Sequence, residues 1–397
     1  MNDLRLQRIQ SLQFTDKAAA EQLLLAFIRE LFPKLAAIRV ALRPQAVSLN
    51  SFNGYLTLAD GRRLFFKTHV EPNSVIGEYY NAQMLAEVGY PVITPLYAST
   101  EYGKQLLIYD VINAPSLFDM AYALERSERH DLGALTAAQH MADTQLFEIY
   151  RATLRPITAA ENAQAPVHQL FYHRLTGGRY AEFYLNKPFE LPNGSLDWQA
   201  LLRRRWIVNG KAYAQTLGAL IERAKRALEP DQPAWSIVGH GDAHNGNVFF
   251  TAGGLRYFDP AFGGRHHPLL DLAKPLFHNV LATWMYHPRE VAAHLQISYH
   301  DDGETLHVQH NYTPSAVRQM FRISKTERVL QPIWQELTRR GESPETLTAM
   351  LQSALLCCPL LTLNLADRNR FPPQIGLLGL ALCVTVASEP VVQAQPE

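Results

Sequence analysis

The stretch that decides the reading is Gly239-His240-Gly241-Asp242-Ala243-His244-Asn245-Gly246-Asn247, with Asp259 following twelve residues after Asn247. It sets an acid, an amide and a second acid at spacings that phosphoryl transfer uses. Asp242 and Asn247 have the Asp-x-x-x-x-Asn spacing that puts one carboxylate beside an acceptor hydroxyl and one amide oxygen on a metal ion. Residues 235–239 read as a short apolar strand entering the loop, and 248–250 as a strand leaving it. Ala252-Gly253-Gly254 is a turn signal, and residues 255–258 form the return strand. Asn247 lies six residues before Gly253 and Asp259 six after it. A hairpin pivoting at Gly253 therefore sets the two face to face, with Cβ atoms roughly 5 Å apart. Such a pair suits one Mg²⁺, whose other positions go to substrate phosphates. A one-residue slip of the turn removes that pairing.

The segment resembles the aminoglycoside phosphotransferase and choline kinase family, whose members share the protein-kinase-like fold. The family pattern is His-Gly-Asp-x-His-x-x-Asn, then an Asp about a hairpin later; His240, Asp242, His244, Asn247 and Asp259 match it. The likeness continues into Pro268-Leu269-Leu270-Asp271-Leu272-Ala273. There the family's second Asp opens a helix and braces the catalytic loop. The resemblance implies Asp242 as the base that faces the acceptor, Asn247 and Asp259 as Mg²⁺ ligands, and Asp271 as a support. His240 and His244 are expected to support the loop rather than bind the ion, because Mg²⁺ prefers oxygen. The chain departs from the family after Asp259. Pro260-Ala261-Phe262 stands where a Phe or Trp and then Gly or Glu are usual, which leaves the shape of that loop open.

An enzyme of this kind needs an upstream nucleotide lobe. Leu64-Phe65-Phe66-Lys67-Thr68 is a short apolar strand carrying one Lys, and Glu78 follows eleven residues later. Glu78 falls in the first turns of a helix predicted over 74–88, with Ser74 as N-cap and Gly89-Tyr90-Pro91 as its stop. A strand Lys paired to a helix Glu is how kinase-like enzymes hold the α- and β-phosphates of ATP. Residues 48–58 are expected to form the phosphate-covering hairpin, although Gly54 is its single glycine. Asp60-Gly61 reads as a tight turn into the Lys strand. Residues 95–97 and 105–111 read as two more strands. In the family the second leads to the hinge that meets adenine, so Asp110, Val111 and Ile112 are the matching positions. A helix over 18–31, with Leu23, Leu24, Phe27 and Leu31 on one face, is expected to pack on this lobe.

The whole is an expected α+β, protein-kinase-like bilobal fold. Residues 1–112 form a small antiparallel-sheet nucleotide lobe, and 113–397 a larger, mainly helical catalytic and acceptor lobe. Helices are predicted over 134–154, within 198–228, and over the apolar run 375–387, which is too short to span a bilayer. Lys plus Arg and Asp plus Glu both number 37, so net charge gives no reason to expect nucleic acid or membrane as a partner. Three Cys make no disulfide framework, and residues 1–10 carry two Arg and no apolar signal core. A cytoplasmic location is the expectation.

Between 166 and 228 there are ten Lys plus Arg against four Asp plus Glu. That excess favours an anionic or phosphorylated acceptor over a polycationic one, or else it is a solvated helix face such as Arg203-Arg204-Arg205. Arg174 and Arg179, set among aromatics and glycines, are the better acceptor candidates. Asp302-Gly303 between alternating runs predicts a hairpin over 296–310 that the family pattern does not call for.

The sequence thus points to an ATP- and Mg²⁺-dependent phosphotransferase acting on a hydroxyl of a small molecule. Three alternatives stand beside it: a metal-dependent phosphoesterase-type hydrolase built on the same His and Asp residues, a nucleotide-binding pseudokinase, and a protein kinase. Against the last, no Ala-Pro-Glu follows Asp259 at activation-segment length. Acceptor identity and ATP over GTP leave no signature.

Overall fold

The computed structural model describes residues 5–43, 51–69, 74–101, 103–127 and 132–390. Helices α1 (Arg5–Thr15) and α2 (Lys17–Leu31) precede five strands: β1 (Ala37–Leu42), β2 (Ser51–Leu58), β3 (Arg63–His69), β4 (Tyr97–Ser99) and β5 (Leu106–Asp110). Helix α3 (Ser74–Glu87) lies between β3 and β4. The sheet is antiparallel throughout, in the order β1-β2-β3-β5-β4. One of its faces is closed by α1 and α2. Leu24, Phe27 and Ile28 of α2 join Leu56, Phe66 and Ile108 of the sheet in one buried cluster. Leu6 and Ile9 of α1 join it too. Helix α1 is a departure from the sequence reading, which took that stretch only as a polar start. Its apolar positions are too few to signal a helix before α2 supplies the surface they pack on.

Gly54 is not at the tip of a phosphate-covering loop. It lies mid-strand in β2, opposite Leu42 and Phe66, where a Cβ would come within 2.2 Å of Ala41 O and 2.8 Å of the Phe66 ring. Its lack of a side chain lets β1 and β3 close in. Residues 48–50 of that expected hairpin, the Ser74 side chain and the last seven residues lie outside what is described.

The remainder is mainly helical. The longest elements are Gly133–Thr153, Pro344–Leu361 and Pro373–Ser388, and their apolar faces share one large core. The predicted helices over 134–154 and 375–387 are thus present, each longer or shifted by one or two residues. Among the described residues, no helix is long and apolar enough to cross a membrane. Between helices Trp198–Arg203 and Leu217–Ala227 runs a hairpin, Arg205–Val208 and Lys211–Tyr213, turned at Asn209-Gly210 with φ of 51° and 79°. The second hairpin, Ile297–Asp301 with Thr305–His310, is where the sequence places one. It is no free-standing insertion: Thr305–His310 pairs in parallel with Arg205–Val208, making one four-stranded sheet.

Candidate active site

The cleft between sheet and helices is built from elements far apart in sequence. Strand β3 presents Lys67, and helix α3 presents Glu78. The ammonium of Lys67 lies 2.9 Å from Glu78 Oε2 and 2.7 Å from Asp259 Oδ1. Tyr109 of β5 donates to Glu78 Oε1 at 3.1 Å and so orients the carboxylate. Burial pulls the Lys67 pKa down, but the charges of Asp259 and Glu78 outweigh it and hold the amine protonated well above its ordinary range. A cavity of about 400 Å³ opens here. Lys67, Glu78, Asp259 and the three predicted hinge residues Asp110, Val111 and Ile112 all line it. Phe249 and Phe258, stacked at 4.5 Å between ring centroids, line it as well.

Asp242, His244 and Asn247 lie on the loop that follows strand Ala234–Gly239. The loop folds on itself: the Asn247 side-chain nitrogen donates to Asp242 O at 3.0 Å, and Asn247 N donates to His244 O at 2.8 Å. The Asn247 amide oxygen is thereby the atom left to meet a cation. His240 is fully buried. Its Nε2 is 3.0 Å from Phe258 O, a carbonyl that can only accept, so Nε2 carries the proton. Its Nδ1 accepts from Asp242 N at 3.4 Å. Burial depresses the pKa of His240 and of His244, and both rings are neutral. One Asp242 oxygen, Oδ1, is buried with no hydrogen-bond partner among the described residues; His244 Nε2 is 3.9 Å from it.

Asp271 sits in the first turn of helix Pro268–His278, 1% exposed. It accepts from Gly241 N at 2.5 Å, from His266 Nε2 at 3.0 Å and from Tyr150 Oη. Burial alone would raise its pKa; the bonds from His266, Tyr150 and Gly241 reverse the sign and hold it below the usual carboxylate range. Asn279, just past the same helix, accepts from Asn245 N at 2.7 Å.

The hairpin after Asn247 differs from the sequence reading by one residue. Val248 pairs with Tyr257 and Thr251 with Gly254, so the turn pivots between Ala252 and Gly253. Asn247 then opposes Phe258, whose N–H bonds Asn247 O at 3.0 Å, and not Asp259. Asp259 is brought to the cleft another way: it leaves the strand with φ of 58°, in the left-handed region. The loop that the sequence left open is a tight turn. Gly263 N and Asn81 Nδ2 of α3 both bond Pro260 O at 3.0 Å. Phe262 O packs against Gly241, whose φ is 80° and where a Cβ would meet that oxygen at 2.3 Å.

Arg174 and Arg179 belong to the short helices Tyr172–Thr176 and Gly178–Tyr184. Arg179 Nη1 donates to Leu361 O at 3.1 Å and Thr362 O at 2.7 Å, at the end of helix Pro344–Leu361. Arg174 has no hydrogen bond or ion pair among the described residues. Burial and the charge of Arg179 push its pKa down to about 10, and Asp242 opposes the shift. Of the triplet, Arg204 is paired with Asp301 at 2.8 Å. Tyr109, Tyr150, Asn81 and Asn279 carry no signal in the sequence that marks them for this site. His266 could have been noticed, as one of two histidines directly before the helix-opening Pro268.

No protein-family model and no curated protein sequence matches the chain. Similar solved structures include the Plasmodium vivax ethanolamine kinase, 10% identical, with a TM-score of 0.48 over 95% of this chain and 93% of that one. Another is an aminoglycoside phosphotransferase in ternary complex with AMP-PNP and hygromycin B, 12% identical, TM-score 0.47, covering 92% and 97%. A third is macrolide 2'-phosphotransferase from Brachybacterium faecium, 14% identical, TM-score 0.39, covering 94% and 99%. The five-stranded antiparallel sheet, the helix that follows its third strand and the larger helical part make a protein-kinase-like bilobal fold, similar to that of the aminoglycoside phosphotransferase and choline kinase family.

Proposed function

We propose that the protein transfers the γ-phosphoryl group of ATP to a hydroxyl of a small molecule, with residues 1–112 as nucleotide lobe and 113–397 as catalytic and acceptor lobe. The observation that carries this reading is the contact of Lys67 with both Glu78 and Asp259. It unites a strand, a helix and a loop at one cavity edge, Lys67 and Asp259 being 192 residues apart. A solvated edge lysine would have no reason to be held there.

In this reading Glu78 and Tyr109 fix Lys67, which offers its ammonium to the donor phosphates. Asp110, Val111 and Ile112 meet the adenine edge. The Asp259 carboxylate and the Asn247 amide oxygen would hold Mg²⁺. The donor set fits: both are oxygens, and two protein ligands leave room for phosphate oxygens. Among the described residues, no three His, Cys, Asp or Glu side chains gather into a self-sufficient cage. When bound, the ion neutralises charge on the β- and γ-phosphates. Asp242 Oδ1, buried and unpartnered, is the acceptor for the hydroxyl proton. The hydroxyl oxygen attacks the γ-phosphorus, the bond from phosphorus to the bridging oxygen breaks, ADP departs, and the proton stays on Asp242. Arg174 and Arg179 stand on the acceptor side.

The hydrolase alternative loses one of its four ligands, because both ring nitrogens of His240 are engaged in the loop's own hydrogen bonds. The test is a screen of small hydroxyl compounds for ADP release that depends on Mg²⁺, run beside Asp242→Asn. Phosphate release without an acceptor, undiminished in Asp242→Asn, would reject transfer.

A further inference from the structure

The helical lobe buries cations beside Asp242 without the anions to match. Lys274, on helix Pro268–His278, is 3% exposed. Its ammonium reaches Thr362 Oγ1 at 3.1 Å and His278 Nε2 at 3.4 Å, and pairs with no carboxylate among the described residues. His278 supplies no charge: burial, with Lys274, His244 and Arg174 around it, depresses its pKa far below the ordinary value. Its Nδ1 therefore keeps the proton and donates to Tyr286 Oη at 2.9 Å, while Nε2 accepts from Lys274.

This group is continuous with the candidate base. The His278 and His244 rings lie 5.3 Å apart, and His244 Nε2 is 3.9 Å from Asp242 Oδ1. On the other side, Thr362 receives Lys274 on its hydroxyl and Arg179 on its carbonyl. Arg174, without a hydrogen-bond or ion-pair partner among the described residues, is within electrostatic reach of Asp242 and of the Cys357 and Cys358 thiols. Those thiols cannot balance it, since burial pushes the Cys358 pKa up to about 12 and Cys357 higher. Among the described residues, Asp242 is the acid within electrostatic reach of Arg174, and Lys274 meets only Thr362 and His278. A buried, uncompensated cation is costly, so such a cluster is stable only if something repays it.

We infer that Arg174 and Lys274 form an anion subsite beside Asp242, and that the acceptor carries a phosphate or carboxylate group there besides the hydroxyl that is phosphorylated. The inference rests on reading Asp242 as the residue that faces the acceptor. Arg179, tied to the backbone at Leu361 and Thr362, shapes the wall rather than clamping the anion itself. A polycationic acceptor is disfavoured, because its amines would meet Arg174 and Lys274.

The test uses the full chain with its nucleotide site filled by Mg-AMP-PNP. Inorganic phosphate, malonate, and the pair glucose and glucose 6-phosphate are titrated by calorimetry. Phosphate or malonate should bind saturably, and glucose 6-phosphate at least ten-fold more tightly than glucose. Phosphate against malonate tells which anion class the subsite favours. Arg174→Met and Lys274→Met should each weaken anion binding at least ten-fold and leave the affinity for Mg-AMP-PNP unchanged. Arg174→Met, at a half-buried position with no partner to lose, should melt no lower than wild type, and added phosphate should raise the Tm of wild type only. No saturable binding of either anion, or binding that Arg174→Met leaves intact, overturns the subsite. Failure of Mg-AMP-PNP itself to bind would instead sink the phosphotransferase reading, and the anion titrations on the free chain would still judge the subsite.

Discussion

Asp259 Oδ1 stands 2.7 Å from Lys67 Nζ, a contact that joins the loop after the Val248–Tyr257 hairpin to the middle of the small lobe's sheet. Lys67 answers two carboxylates at once, and one of them, Glu78, has a side chain only 3% exposed. Three charges therefore share the mouth of the cavity, and a change at any one of them is felt by the other two.

Lys67→Met should lower turnover by about 10²–10³, the usual cost of losing one preorganised charge in a transferring site. A lysine at a lobe interface adds little to the core by itself, which alone predicts a fold left intact. The burial of Glu78 changes that expectation. Without the ammonium its carboxylate is stranded, which costs about 3 kcal/mol. Lys67→Met with Glu78→Gln should recover most of the lost stability and none of the activity. Denaturant unfolding of the two variants decides it; equal stability of both would show that the pair contributes nothing to the fold.

Asp242→Asn and Asp259→Asn should part company. The first removes the proton acceptor and should slow kcat by about 10²–10⁴ while Mg-ATP binds as before. The second removes a ligand of the ion and should weaken Mg-ATP binding itself. Parallel titrations with Mg-ATP separate them, and an equal loss of nucleotide affinity in both would undo the division of roles.

Asp271 should matter although it faces no substrate. Asp271→Asn keeps the shape but gives up the charge that accepts from Gly241 N, His266 and Tyr150. Hydrogen bonds to a charged group are worth about 1.5–3 kcal/mol. The variant should melt several degrees lower, and its kcat should fall as the loop holding Asp242 loosens. A lowered Tm with kcat unchanged would make Asp271 a purely structural residue.

Stability should fall as pH drops below about 6.5, before most carboxylates titrate. His168 and His240 are buried and His244 is half-buried, all three neutral, and desolvation holds their folded pKa values under the ordinary 6.5, His168 at about 4. The unfolded chain then binds protons that the folded one refuses. Their contribution is complete above pH 6.5 and shrinks by about 1.4 kcal/mol per residue per pH unit below it. For His168 the loss ends near pH 4. Thermal melts between pH 7.5 and 5 should show Tm declining toward acid, with His168→Gln blunting the slope. A flat or rising Tm would contradict the burial argument.

Much of the bilobal plan could be read from the chain, because its parts are local. The strand with Lys67, the helix with Glu78 and the loop with Asp242 each follow from apolar spacing and stop signals over a dozen residues. What failed was finer or longer in range. The register of Val248–Thr251 with Gly254–Tyr257 hung on a two-residue turn among Ala252, Gly253 and Gly254, and either glycine could have served as the pivot. Asn209-Gly210 is a strong hairpin signal. Its force is weakened by Trp206, Ile207 and Val208, which equally suit the continuation of a helix beginning at Trp198. The role of Lys274 is not legible in the sequence, because its lack of a carboxylate partner among the described residues is a property of packing: its nearest partner, Thr362, is 88 residues away.

Asn81 sits three residues beyond Glu78 on α3, and its side chain is fastened to Pro260 O, next to Asp259. The helix is thus moored to the large lobe, whereas Lys67 is woven into the sheet of the small one through pairing with Asn53 and Leu107. If the jaws part, the tether keeps α3 with the floor while β3 swings away with the roof. The gap then opens across both contacts of Lys67, 2.9 Å to Glu78 and 2.7 Å to Asp259, and this one ammonium is the latch of the enclosure.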